Sequence, residues 1–135
     1  MDTDGAIRVL LVGGSDAAIQ GISGTLGGSA EVKVVGEVDS SDEAVLAAGE
    51  LFPDVVLVLA DSLASGVDGV DTMRAITETR PLTRVVVITR SVLRYLVPAV
   101  KAGAAGILSP EVGLDELLLA IRRVHQWASC SLSVQ

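Results

Sequence analysis

The chain has 135 residues, of which 50% are apolar, 20% charged and 2% aromatic, and its 17 Asp and Glu against 10 Lys and Arg leave a formal net charge of -7. That length suits one domain, and a half-apolar composition with moderate charge excludes intrinsic disorder along most of it. The acidic balance, with Lys33 and Lys101 as the lysines, argues against this segment gripping nucleic acid or an anionic membrane by itself.

A first apolar run, Ala6 to Val12, reads as a strand. A helix from about Ser15 follows, with Ile19, Ile22 and Leu26 inward. Gly21, Gly24, Gly27 and Gly28 each lower its propensity by up to about 1 kcal/mol relative to Ala, so it is expected to be the softest of five helices. Val32 to Val38 is the second strand. Ser40 and Glu43 then fit a capping box ahead of Ala44, Ala47, Ala48 and Leu51, and Pro53 stops that helix. Val55 to Ala60 is the third strand, and Val70, Met73 and Ile76 share one face of the third helix. Val85 to Thr89 precedes a fourth helix, Leu93 to Ala102, in which Pro98 must occupy the first turn or kink the helix. Ala104 to Leu108 is the fifth strand. In the last helix Leu114, Leu117, Leu118, Ile121 and Val124 recur at three- and four-residue steps, opposite Asp115, Glu116, Arg122 and Arg123.

Most of these strands are continuously apolar and rich in Val, Leu and Ile, the pattern of strands covered on both faces. Five strand-helix alternations imply a (βα)5 architecture, a doubly wound five-stranded parallel sheet. In such sheets the working site lies outside the carboxyl ends of the strands, where the winding reverses. Four segments stand there: Gly13-Gly14-Ser15-Asp16, Leu59-Ala60-Asp61-Ser62, Thr89-Arg90-Ser91 and Ser109-Pro110-Glu111. The first could admit a phosphate to its backbone amides, but it fits neither dinucleotide nor P-loop spacing and reads as a tight turn. Cys130 has no partner for a disulfide or a zinc site. The acidic N-terminus is unlike a signal peptide, and no apolar stretch approaches the roughly 20 residues of a membrane helix, so a cytoplasmic setting without membrane contact is expected.

From Ile7 to Val124 the chain resembles the receiver domain of bacterial response regulators, specifically the NarL/FixJ-type branch. The resemblance rests on Ile7-Arg8-Val9-Leu10-Leu11-Val12, Val34-Val35-Gly36-Glu37, Pro53-Asp54-Val55-Val56-Leu57, Gly66-Val67-Asp68-Gly69, Val85-Val86-Val87-Ile88-Thr89 and Ala102-Gly103-Ala104-Ala105-Gly106. It implies a flavodoxin-like receiver fold over residues 1–128, with 129–135 as a tail or the start of a linker. In this branch the linker leads to a helix-turn-helix domain, so DNA contact is expected only through a C-terminal domain beyond this chain.

The family's phosphorylation chemistry is where the chain departs. The acidic pair that holds Mg2+ falls on Gly13 and Gly14, and the Lys after the fifth strand falls on Pro110. Counting from Pro53, the phosphoacceptor falls on Leu59. Counting back from Gly66-Val67-Asp68-Gly69 puts Asp61 there instead. The Leu59 register is preferred, because two extra residues fit more easily in a surface loop than inside a central strand. Of the switch pair Thr89 survives, while its aromatic partner becomes Ile107. Glycine offers Mg2+ no oxygen, and Pro110 cannot neutralise phosphoryl charge as an ammonium does, so no cofactor and no Mg2+ binding are expected. Asp16 reads as a helix-start carboxylate. Arg90, the cation beside the pocket, could contact an anion or pair with Asp61, although a solvated loop arginine is the plainer reading. Tyr95, His125, Trp127 and Cys130 read as surface, packing or bystander residues.

The expectation is therefore a non-enzymatic, phosphorylation-independent receiver acting as a regulatory module, and the resemblance to this branch implies a homodimer through its first and fifth helices. The alternative is a receiver gated by a small molecule or anion in the vacated pocket of Gly13, Gly14, Ser62, Thr89 and Arg90. A conventional receiver phosphorylated on Asp61 is the third reading.

Overall fold

A computed structural model of the chain describes residues 6–13, 17–62 and 69–134. Strands β1 (Ile7–Val12), β2 (Val32–Val38), β3 (Val55–Leu59), β4 (Arg84–Ile88) and β5 (Gly106–Leu108) alternate with helices α1 (Ala17–Gly27), α2 (Ser41–Leu51), α3 (Gly69–Thr79), α4 (Val92–Lys101) and α5 (Leu114–Val134). A short 3-10 turn, Ala60–Ser62, follows β3. All five strands are parallel in the order β2-β1-β3-β4-β5, the flavodoxin-like order whose winding reverses between β1 and β3.

Alternation along each strand divides the core into two apolar layers. Val9, Leu11, Val55, Leu57, Leu59, Val86 and Ile88 face Leu26 of α1 and Leu117, Ile121 and Val124 of α5. Leu10, Val12, Val56, Val58, Val85 and Val87 face Ala44 and Ala48 of α2, Met73 and Ile76 of α3, and Ala99 of α4. Both faces are covered, which is why β1, β3 and β4 carry no polar alternation. Ile22 packs partly buried on the first layer, as its helical spacing predicts.

Local chemistry sets the element ends. Ser40 caps α2, its Oγ accepting from the Glu43 amide at 3.2 Å, but the Glu43 carboxylate accepts from the Asp39 amide and not from that of Ser40 as a full capping box requires. The helix ends one residue before Pro53, at Phe52, which takes a left-handed φ of 51° and lies under the Arg80 guanidinium, 4.3 Å from the ring centroid. In β2 the register slips so that Val9 faces Val34 and Leu10 faces Gly36. A Cβ on Gly36 would stand 3.0 Å from the Leu51 Cδ1 and 3.2 Å from the Leu10 Cδ1, so a larger residue beside the bulge requires those two side chains to shift slightly. Gly103, at φ +95°, closes α4: its amide donates to Val100 O and that of Ala104 to Ala99 O, the Schellman pattern.

Pro98 is the seventh residue of α4, outside the first turn, which leaves the interior position as the alternative met. It is tolerated because it and Arg94, whose carbonyl loses its helical donor, are both exposed, so water can replace that bond. Arg122, expected on the solvent face of α5, is half-buried with Nε 3.3 Å from Glu31 Oε2. The backbone of α5 continues to Val134, into the segment read as a tail or the start of a linker. The side chains of Ile19, Trp127 and Cys130 lie outside those described.

Candidate signalling site at the strand ends

The carboxyl ends of β1 and β3 flank the point where the winding reverses, with that of β4 beside β3 and that of β5 beyond it. Gly13 follows β1 and is buried, and its amide donates to Val38 O at 2.9 Å, extending the pairing with β2. That amide is therefore spent and does not cradle a phosphate. Gly14, Ser15 and Asp16 lie outside the described residues, as do residues 63–68.

Leu59 is the last residue of β3, pairs with Ile88, and is 2% exposed among the apolar side chains beneath α1 and α5. The 3-10 turn that follows carries Asp61 sideways over the end of β4. There its Oδ1 accepts from the Thr89 hydroxyl at 2.8 Å and its Oδ2 from the Arg90 amide at 2.7 Å. Thr89 is fully buried. Its amide donates to Leu108 O of β5, and its Oγ1 accepts from the Ser91 amide at 3.0 Å. Ser91 in turn is the N-cap of α4, and its carbonyl accepts from Arg94 and Tyr95.

A single hydrogen-bonded chain thus runs from the end of β3, through Thr89, into the first turn of α4. The sequence reading placed Asp61 and Thr89 at neighbouring strand ends, yet it missed the part played by main-chain amides. Asp61 engages Arg90 through the backbone amide, and the residue itself is exposed, in line with the solvated loop arginine that was the plainer reading. The signal available in the sequence was the two-residue extension of the β3 loop, which moves a carboxylate beyond the strand.

Ile107 is half-buried in β5, paired with Val87 and packed against the layer under α2, α3 and α4. Pro110 is half-buried in the turn after β5, where the Ser109 hydroxyl accepts from the Glu111 amide. Tyr95 is half-buried on α4, its ring centroid 6.0 Å from the Arg94 guanidinium.

Residues 9–122 match the family model of the response regulator receiver domain. The chain belongs to that family. Response regulator GacA of Pseudomonas aeruginosa is 34% identical to this receiver over 119 residues, which are 87% of this chain and 55% of GacA. Transcriptional regulatory protein LiaR of Bacillus subtilis is 31% identical over 117 residues, 86% of this chain and 54% of LiaR. The solved signal receiver domain of NarL from Mycobacterium tuberculosis superposes with a TM-score of 0.80 at 26% identity, covering 91% of this chain and 98% of that one. The receiver spans about half the length of the curated relatives it matches.

Toward the Mg2+ that the receiver family implies, Gly13 offers no side-chain oxygen, and both oxygens of Asp61 are engaged by Thr89 and Arg90. Among the described residues no helix is long and apolar enough to cross a membrane.

Proposed function

We propose that this receiver regulates without a Mg2+-dependent aspartyl-phosphate switch, as a non-catalytic, dimerising module of a cytoplasmic transcriptional regulator. The observation that carries the reading is the fate of the two acceptor positions. Leu59 is a core residue with no reactive group, and Asp61 holds both oxygens against Thr89 and Arg90. Gly13 after β1 and Pro110 after β5 supply neither a metal ligand nor a cation for the charge of a transferring phosphoryl group. Contacts to DNA belong, on this reading, to a further domain of the whole protein, since the match covers only 54% of a regulator such as LiaR.

The test is an amide NMR titration with Mg2+ and beryllium fluoride, followed by intact mass after exposure to a small phosphodonor. No shifts and no added mass are expected. A gain of one phosphoryl group, with movement at Asp61 and Thr89, would make Asp61 an ordinary acceptor and end the proposal.

Gating by a small molecule is the second reading, favoured by the uncharged residues Gly13 and Pro110 at the strand ends. The Asp61 carboxylate narrows it to neutral or cationic ligands, since an anion would meet like charge. A thermal-shift screen checks it, because a ligand that binds the native state alone must raise the melting temperature.

A further inference from the structure

We infer that Asp61 is a built-in anionic latch: its carboxylate occupies, from within the chain, an oxyanion position formed by the Thr89 hydroxyl and the Arg90 amide, and through them it positions the first turn of α4. The two oxygens engage donors on consecutive residues, one side chain and one backbone. Both bonds are charge-assisted and short, the class that outlasts an ordinary exposed contact.

Thr89 makes the arrangement directional. Being fully buried, its hydroxyl has one proton to give and gives it to Asp61, while its oxygen accepts from Ser91. Ser91 would ordinarily cap α4 with its own side chain, but it makes no side-chain capping bond. Its amide is held by Thr89 instead, and its carbonyl opens the helix. The start of α4 is therefore anchored by Asp61, on a different strand end 28 residues away in sequence from Thr89. Asp61 acts here as a positioning residue, and the latch is separable from the proposed function: added mass tests phosphorylation, whereas amide exchange tests the latch.

The experiment is hydrogen exchange and chemical-shift mapping of the full chain and of Asp61→Ala, each with and without sodium formate against matched chloride. In Asp61→Ala the Arg90 amide is expected to exchange roughly tenfold faster or more, as follows from losing a charge-assisted bond, with shifts at Ser91 to Tyr95. Formate is expected to reverse both effects in the variant and to leave the unsubstituted protein unchanged. The inference fails if Arg90 keeps its protection, or if formate leaves the variant as it was or moves both proteins alike. Should Asp61→Ala not fold, Thr89→Val and Thr89→Ser provide the same reading. Valine is expected to shift the first turn of α4, and serine, which keeps the hydroxyl, to leave it in place; equal behaviour of the two overturns the latch.

Discussion

Asp61 and Leu59 stand two residues apart in very different surroundings. Restoring a carboxylate at the strand position, Leu59→Asp, would bury a charge with no described partner, and we expect a loss of about 3–5 kcal/mol in urea unfolding with no gain of phosphorylation. Asp61→Ala is expected to cost only about 1 kcal/mol, because Asp61 is exposed and water can replace it at the Thr89 hydroxyl. At the opposite end of the sheet the buried Thr83 hydroxyl donates to Pro53 O at 3.0 Å, tying the α2-β3 corner to β4. Thr83→Val keeps the shape, loses that bond and leaves the carbonyl short of a donor, so about 1–2 kcal/mol should be lost in the same assay.

Among the elements, α1 is the one whose composition works against its conformation. A Cβ at Gly21 or Gly24 would meet nothing within 4 Å, so neither glycine is needed for packing within the domain. Gly21→Ala and Gly24→Ala are each expected to stabilise the monomer by about 0.4–1 kcal/mol, read as a higher urea midpoint at unchanged slope. Gly103 is the contrasting case. At φ +95°, with Thr77 3.4 Å from any added Cβ, alanine there should cost about 1–2 kcal/mol by straining the α4 terminus. Helix α4 also carries an exposed apolar row, with Leu93 87%, Val97 58% and Val100 65% exposed, set at helical spacing on the side away from Ala99.

For the whole molecule the proposed dimer makes the sharpest demand. The described surface of α1 and α5 includes Gln20, Gly24, Leu119 and Arg123, with Leu119 its exposed large apolar side chain. Sedimentation velocity at micromolar concentration should therefore show a dimer, and Leu119→Asp should return it to monomer. A monomer without any substitution would remove the dimer from the proposed function. If Leu93→Asp with Val97→Asp abolishes the dimer while Leu119→Asp does not, the interface lies on α4 instead. Millimolar Mg2+ is expected to leave the melting temperature unchanged. A marked rise would mean that carboxylates such as Asp61 are drawn into metal binding despite their present partners.

Residue type and spacing alone determined the architecture. Strands buried on both faces must be continuously apolar, and helices beside them must repeat at three and four residues. Those are properties of short stretches and survive without knowledge of the partner. That Gly13 and Pro110 carry neither a carboxylate nor an ammonium was equally legible, because residue type alone states it. What only the tertiary structure decided was the role of Asp61. Its carboxylate meets Thr89 and Arg90 because β3 and β4 lie side by side and a 3-10 turn swings it across, and half of its contacts are to a backbone amide. Every residue but proline carries such an amide, so residue identity cannot reveal which one a carboxylate will find. The passage of α4 through Pro98 likewise depends on what surrounds the helix, because the Arg94 carbonyl that loses its donor lies on an exposed residue.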